Sequence, residues 1–157
     1  MKDSLLKIKG AIEKNELLTD ILYVFLGFLV MYAFYTGIGF ALGTPNPVVT
    51  VVSGSMLPTL ERGDILVLKG ISSEDELEYG REKGTILIYY HPNMNKLIVH
   101  RLYQKNPDGT YKTWGDNNPM ADPWSVEHEW FRGRMILRIP YLGYPKILLS
   151  EFLRGGR

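Results

Sequence analysis

Ile21–Leu42 reads ILYVFLGFLVMYAFYTGIGFAL, 22 residues in which Thr36 is the one conventional polar side chain. No charged residue occurs between Asp20 and Glu61. As a helix at 1.5 Å per residue, the run spans roughly 33 Å, enough to cross a hydrocarbon core of about 30 Å. It is apolar on every side, whereas a helix on the surface of a soluble domain keeps a polar face. Tyr23, Tyr32 and Tyr35 suit the headgroup level. A cleaved signal peptide is the main rival reading, because Ala41 and Gly43 have the small-residue spacing of a cleavage site. The run is longer than an h-region of about 7–15 residues, however, and a charged tail precedes it. The expectation is a membrane anchor.

Orientation follows from the basic residues. Lys2, Lys7, Lys9 and Lys14 precede the run, and no Lys or Arg lies between Gly43 and Leu60. Such a bias puts the N-terminus in the cytoplasm and the rest outside. The expected organisation is a cytoplasmic tail over 1–20, a transmembrane helix over 21–42 and an extracytoplasmic domain over 43–144. A basic, amphipathic segment over 145–157 then either lies on the membrane surface or packs on the sheet. The expected location is the cell membrane, single-pass, with the lipid bilayer as a partner.

The 157 residues leave room for one modest domain beside the anchor. With 45% hydrophobic and 22% charged residues, the chain is not disordered. A net charge of +1 gives no basic footprint, so no nucleic-acid partner is expected. Cysteine is absent, which excludes disulfides, thiolate metal sites and a cysteine nucleophile. No metal and no cofactor are expected.

Past the anchor, short β-rich runs alternate with turn signals. Strands are expected at Val48–Val52, Ile65–Lys69, Thr85–Tyr90, Lys96–Gln104, Thr110–Trp114 and Met135–Ile139. Asn106-Pro107-Asp108-Gly109 is a hairpin turn, with Pro presetting φ and Gly supplying a positive one. Glu74–Gly84 is a charged excursion. The fold class is mainly β: a small antiparallel sheet or partly open barrel behind one N-terminal helix.

The chemistry-bearing stretch is Val51-Val52-Ser53-Gly54-Ser55-Met56-Leu57-Pro58-Thr59-Leu60. A β-run ends in Ser-Gly-Ser, where Gly54 frees the backbone and Pro58 stiffens the turn. A serine held there is exposed, but it needs a base to take its proton. Ser-Gly-Ser alone is also ordinary loop chemistry. Three histidines are available. His91 precedes Pro92 and reads as a turn residue. His128 in Val126-Glu127-His128-Glu129-Trp130 lacks the second ligand of a zinc helix, since position 132 is Arg. His100 lies mid-strand, where alternation sets Ile98, His100 and Leu102 on one face. It reads either as a satisfied core histidine or as a base, imidazole being the side chain suited to proton transfer near neutrality. Trp114–Pro123 (WGDNNPMADP) supplies Asp116 and Asp122, either as turn-forming residues or as a carboxylate that orients the base.

Together these residues resemble the type I signal peptidases. Ser53-Gly54-Ser55-Met56-Leu57-Pro58-Thr59 is similar to their nucleophile box, His100-Arg101 to their second box, and Gly115-Asp116-Asn117-Asn118 with Asp122 to their third. The Gly63-Asp64 turn fits as well. Bacterial members carry lysine where His100 stands, so the resemblance is to the archaeal and endoplasmic-reticulum branch. It implies a membrane-bound serine endopeptidase that removes signal peptides from exported preproteins, cutting after small residues at −1 and −3. It implies Ser55 as nucleophile, His100 as base and Asp122 as orienter, with Asp116 sharing that role or bracing the loop. It also implies Ser53, Ser55 and Met56 around the oxyanion and substrate, and leaves open other subunits of a signal peptidase complex as partners. Two alternatives are weighed: a non-catalytic membrane-anchored subunit that binds signal peptides, and a self-cleaving protease of related fold. Neither needs serine, histidine and aspartate behind a membrane span.

Overall fold

The structure is a computed structural model that describes residues 16–155. The N-terminal tail with its four lysines therefore lies outside the described residues, as do the last two residues of the C-terminal segment. The described chain divides into two compact units, with the boundary at Ile38/Gly39.

The first unit is helical. Helix α1 covers Glu16–Ala41, so it begins five residues before the uninterrupted apolar run. Its 26 residues are long and apolar enough to cross a membrane, and none of them is buried. Thr36, its mid-helix polar side chain, bonds back to the Tyr32 carbonyl at 2.9 Å, so the hydroxyl brings no unpaired donor into an apolar medium.

The second unit is a six-stranded sheet. In chain order its strands are β1 (Val48–Thr50), β2 (Ile65–Lys69), β3 (Ile86–His91), β4 (Lys96–Lys105), β5 (Tyr111–Trp114) and β6 (Phe131–Ile139). They lie side by side as β1-β2-β6-β3-β4-β5, every pair antiparallel. Strands β1 and β5 are the two edges and do not meet, so the sheet is not closed. This is the mainly β domain behind one N-terminal helix that the strand pattern predicts.

Two strands depart from their expected bounds by more than one residue, for visible reasons. Strand β1 stops at Thr50, where Val51 bonds across to the turn before β2, its N–H to the Asp64 carbonyl and its carbonyl to Gly63 N–H, both at 2.9 Å, and regular pairing ends. Strand β6 starts at Phe131, four residues earlier than the apolar pattern indicates. Arg132 and Arg134 disguise its first half as a loop. Gly133 sits there at φ +147°, and a Cβ on it would lie 2.7 Å from the Lys69 carbonyl oxygen. Pairing shifts register at this level on both flanks of β6, as a bulge does.

The central strand β3 (ILIYYH) is buried on both faces, which explains its nearly unbroken apolar sequence. On one face Ile86 and Ile88 pack with Leu66, Leu68, Met56 and Leu60. On the other, Leu87 and Tyr89 pack with Ile98, Leu102, Tyr111 and Val126. The charged excursion contains a 3₁₀ turn, Glu74–Glu76, capped by Ser73, and Leu77 plugs it into the second cluster. The chain ends in helix α2, Tyr144–Leu153, with Pro145 in its first turn.

Candidate active site

Met56 and Leu60 anchor the loop that follows β1. Both are fully buried in the first cluster, and Leu60 N–H bonds to the Met56 carbonyl at 2.9 Å. With those two side chains drawn inward, Ser55 is left at the surface of the core. Met56, expected around the oxyanion and substrate, has its side chain buried in the core. Asp64 braces the end of the loop by accepting Glu61 N–H at 2.8 Å and pairing with Arg138 at 2.6 Å. Arg138 also donates to the Thr59 carbonyl at 2.8 Å.

Strand parity delivers the histidine. His100 lies opposite Leu87, and its face carries Ile98 and Leu102, as the alternation predicts. Its Nε2 is 3.1 Å from Ser55 Oγ, and its Nδ1 is 2.6 Å from Asp122 Oδ2. Both partners of that contact are nearly buried. Ser53 Oγ lies 3.3 Å from Ser55 Oγ. Of the two carboxylates left open by the sequence, Asp122 is the one in contact with the imidazole.

Two residues not singled out from the sequence also converge on Asp122. Thr113 Oγ1 donates to its Oδ2 at 2.6 Å, and Tyr89 OH reaches the same oxygen at 3.2 Å. Trp124 Nε1–H donates to Tyr89 OH at 3.0 Å, which turns the phenol proton toward Thr113 and Asp122. Burial pushes the Tyr89 phenol pKa up, so the ring stays a neutral donor. Surrounded by donors, the Asp122 carboxylate acts only as an acceptor. An acceptor at Nδ1 suits an imidazole that donates there and presents its other nitrogen to Ser55. The signal for Tyr89 and Thr113 was strand register. Tyr89 opposes Ile98 and Thr113 opposes Leu102, both neighbours of His100 on its own face. Reading it requires knowing which strands pair.

Asp116 does different work. Arg101, on the opposite face of β4 from His100, grips it with Nε–H to Oδ1 at 2.8 Å and an Nη2–H to Oδ2 at 2.7 Å. Thr59 donates to the same carboxylate at 2.6 Å, and Arg101 reaches the Gly84 carbonyl at 2.8 Å. Burial pushes the Asp116 carboxyl up, but the Arg101 guanidinium and the Thr59 hydroxyl outweigh it and hold the pKa below the usual range. A carboxylate with a depressed folded pKa contributes stability above its unfolded pKa and loses it as pH falls through the folded value. Acid titration of wild type and Asp116→Asn, followed by tryptophan fluorescence, is therefore expected to show a shallower acid-induced loss of stability in the variant.

The next residues stitch this loop to the serine. Asn117 N–H bonds to the Ser55 carbonyl at 2.9 Å, and Asn117 Nδ2 to the Gly54 carbonyl at 3.1 Å. Gly115 stands where the two halves meet. A Cβ there would lie 2.7 Å from the Ser55 carbonyl oxygen and 2.9 Å from His100 Nε2. Gly115→Ala must displace the serine loop or the imidazole, and misplacement on that scale costs on the order of 10²-fold. We expect kcat to fall by about that factor with the melting curve retained, measured by peptide cleavage and thermal unfolding. An unchanged kcat would mean that the contact yields without moving either group.

The remaining histidines are structural. His91 is buried edge-on to Trp124, centroids 4.8 Å apart, and His128 packs on Phe131 at 4.9 Å.

Curated relatives match most of the chain. The signal peptidase complex catalytic subunit sec11 of Sclerotinia sclerotiorum is 35% identical over 130 residues, covering 76% of this chain and 73% of that protein. The subunit of the same name from Neurospora crassa is 33% identical over 140 residues, 80% of this chain and 77% of its own. That of Tuber melanosporum is 29% identical over 154 residues, 89% and 83%. The chain belongs to the signal peptidase family. It falls in the branch of the complex's catalytic subunit and is a serine endopeptidase. No family model matches. The resemblance drawn from the three boxes thus agrees with relatives aligned over three quarters of this signal peptidase or more.

Proposed function

We propose that the chain removes N-terminal signal peptides from exported preproteins, with Ser55, His100 and Asp122 as its catalytic residues. The observation that carries this reading is the unbroken line from Ser55 Oγ through both imidazole nitrogens to Asp122, with contacts of 3.1 and 2.6 Å. Ser55 Oγ attacks the scissile carbonyl carbon as its proton passes to His100 Nε2. Asp122 faces the imidazolium that results. The oxyanion rests on the Ser55 backbone N–H and the Ser53 hydroxyl. The C–N bond breaks as His100 gives the proton to the departing amine. Water then enters, loses a proton to the same nitrogen and releases the acyl group from Ser55.

The substrate adds as an extended strand, so alternate side chains point the same way. Side chains at −1 and −3 then share one wall, and small residues are selected there. Met56 contributes backbone to that wall, its side chain being committed to the core. Helix α1 spans the bilayer once, with the lysine-rich N-terminal side in the cytoplasm and the sheet domain on the far side. Its relatives are named as subunits of a complex, and further subunits of that kind are partners on this reading.

The test is cleavage of a purified preprotein by the full chain in detergent micelles, with N-terminal sequencing of the product. A cut after a small residue at the signal junction, blocked when −1 becomes leucine and absent in Ser55→Ala, is the expected result. Cleavage that persists in Ser55→Ala overturns the assignment. No cleavage by wild type, in micelles or in native membranes, favours a binding subunit.

A further inference from the structure

Helix α2 is amphipathic the wrong way round. A helix docked on a β domain ordinarily turns its apolar stripe inward. In α2 only Ile147 is buried, and the neighbouring domain contact is polar: Glu151 pairs with Arg62. Pro145, Leu148, Leu149, Phe152 and Leu153 fill an outward arc of about 140° at 3.6 residues per turn. Their exposure is high: 61% for Leu148, 59% for Leu149, 81% for Phe152 and 73% for Leu153. The sequence left two readings for this segment, packed on the sheet or lying on the membrane. Ile147 does the packing, and the rest of the apolar surface points away from the domain.

Charge narrows the choice of what covers that arc. Arg62 neutralises the single acid of the helix, Lys146 flanks the arc on one side, and Arg154 follows the helix at its C-terminal end. The uncovered surface is thus apolar, with its acid neutralised and a cation toward each end of the helix, which matches the acyl boundary and anionic headgroups of a bilayer. A protein carrying a helix long enough to cross a membrane holds its second unit at high effective concentration against that surface. We propose that α2 is an interfacial helix that lies in an anionic lipid surface through Leu148, Leu149, Phe152 and Leu153. It gives the peptidase domain a second, non-spanning point of attachment beside α1.

The absence of cysteine makes this directly testable. Single cysteines are introduced as Leu149→Cys and Phe152→Cys in α2, and as Ser72→Cys at an exposed position just before the charged excursion. Each carries an environment-sensitive fluorophore, and the full chain is reconstituted into vesicles with and without phosphatidylglycerol. Flotation with the vesicles reports the α1 anchor independently. The expected result is blue-shifted emission for labels 149 and 152, quenched several-fold by lipids with a quencher on the acyl chain, with label 72 reading water. Charge reversal by Lys146→Glu with Arg154→Glu weakens that quenching in phosphatidylglycerol vesicles. Labels 149 and 152 reading water in floated vesicles overturn the proposal. So does a blue shift that ignores the lipid quencher and grows with protein density, which assigns the arc to a second copy of the chain.

Discussion

His100→Ala is expected to lower kcat for preprotein cleavage by about 10⁶-fold, Ser55→Ala by about as much, and the double variant by little more than either. Without Nε2, Ser55 Oγ has nowhere to send its proton, and a neutral hydroxyl at ordinary pH is a poor nucleophile. Without Ser55, the imidazole has nothing to activate. The two groups touch at 3.1 Å and act as one device, so their losses are not additive. Serine-directed covalent labelling of Ser55 should vanish in His100→Ala while the melting curve stays close to wild type. The decisive comparison is single-turnover cleavage of one preprotein by all three variants. Losses that simply multiply would mean that serine and histidine serve separate steps.

The second large effect separates two aspartates of one loop. Asp122→Asn is expected to lower kcat by about 10⁴-fold with KM nearly unchanged. Thr113 and Tyr89 still aim donors at the position of Oδ2, so they hold the amide oxygen there. What disappears is the negative charge facing the imidazolium. Thr113→Val removes the strongest of those donors, and we expect a loss of kcat on the order of tenfold that Thr113→Ser restores. Asp116→Asn takes the other route. It leaves the Arg101 guanidinium, nearly buried, without its charge partner, which costs about 3 kcal/mol or more of stability. Chemical denaturation beside steady-state kinetics reads both axes. If Asp116→Asn lowers kcat as far as Asp122→Asn does at temperatures well below its melting transition, the two carboxylates share the orienting role.

Much of this was legible before any coordinates. An apolar run without charges needs no partner strand to be read as a membrane-length helix. Alternation along Leu97–Tyr103 places His100 on an inward face, and Arg101 on the other, from local geometry alone. The choice between Asp116 and Asp122 was not local. Both sit in one turn-rich loop, and only the pairing of β4 with β5 decides which one meets which face of β4. Tyr89 and Thr113 went unnoticed for the same reason: each looks like an ordinary strand residue until the register sets it beside His100. The early start of β6 hid behind two arginines and a bulged glycine. Helix α2 showed its apolar spacing plainly, but which side faces the domain depends on Ile147 and the Glu151–Arg62 pair, which the spacing does not reveal.

Strand β4 uses consecutive residues for opposite tasks. On the proposed mechanism His100 takes part in the chemistry, while Arg101, one peptide further on, clamps the loop that carries Ser55 through Asp116 and Thr59. The gap between serine and imidazole is thus set by a closed ring of chain: β4, the guanidinium, the carboxylate, the loop and back. Opening that ring with Asp116→Asn lets the two reacting groups drift apart while the sheet beneath them stays intact. Heat inactivation and melting, which coincide while the ring is closed, should then come apart, with cleavage lost at temperatures where the β domain is still folded.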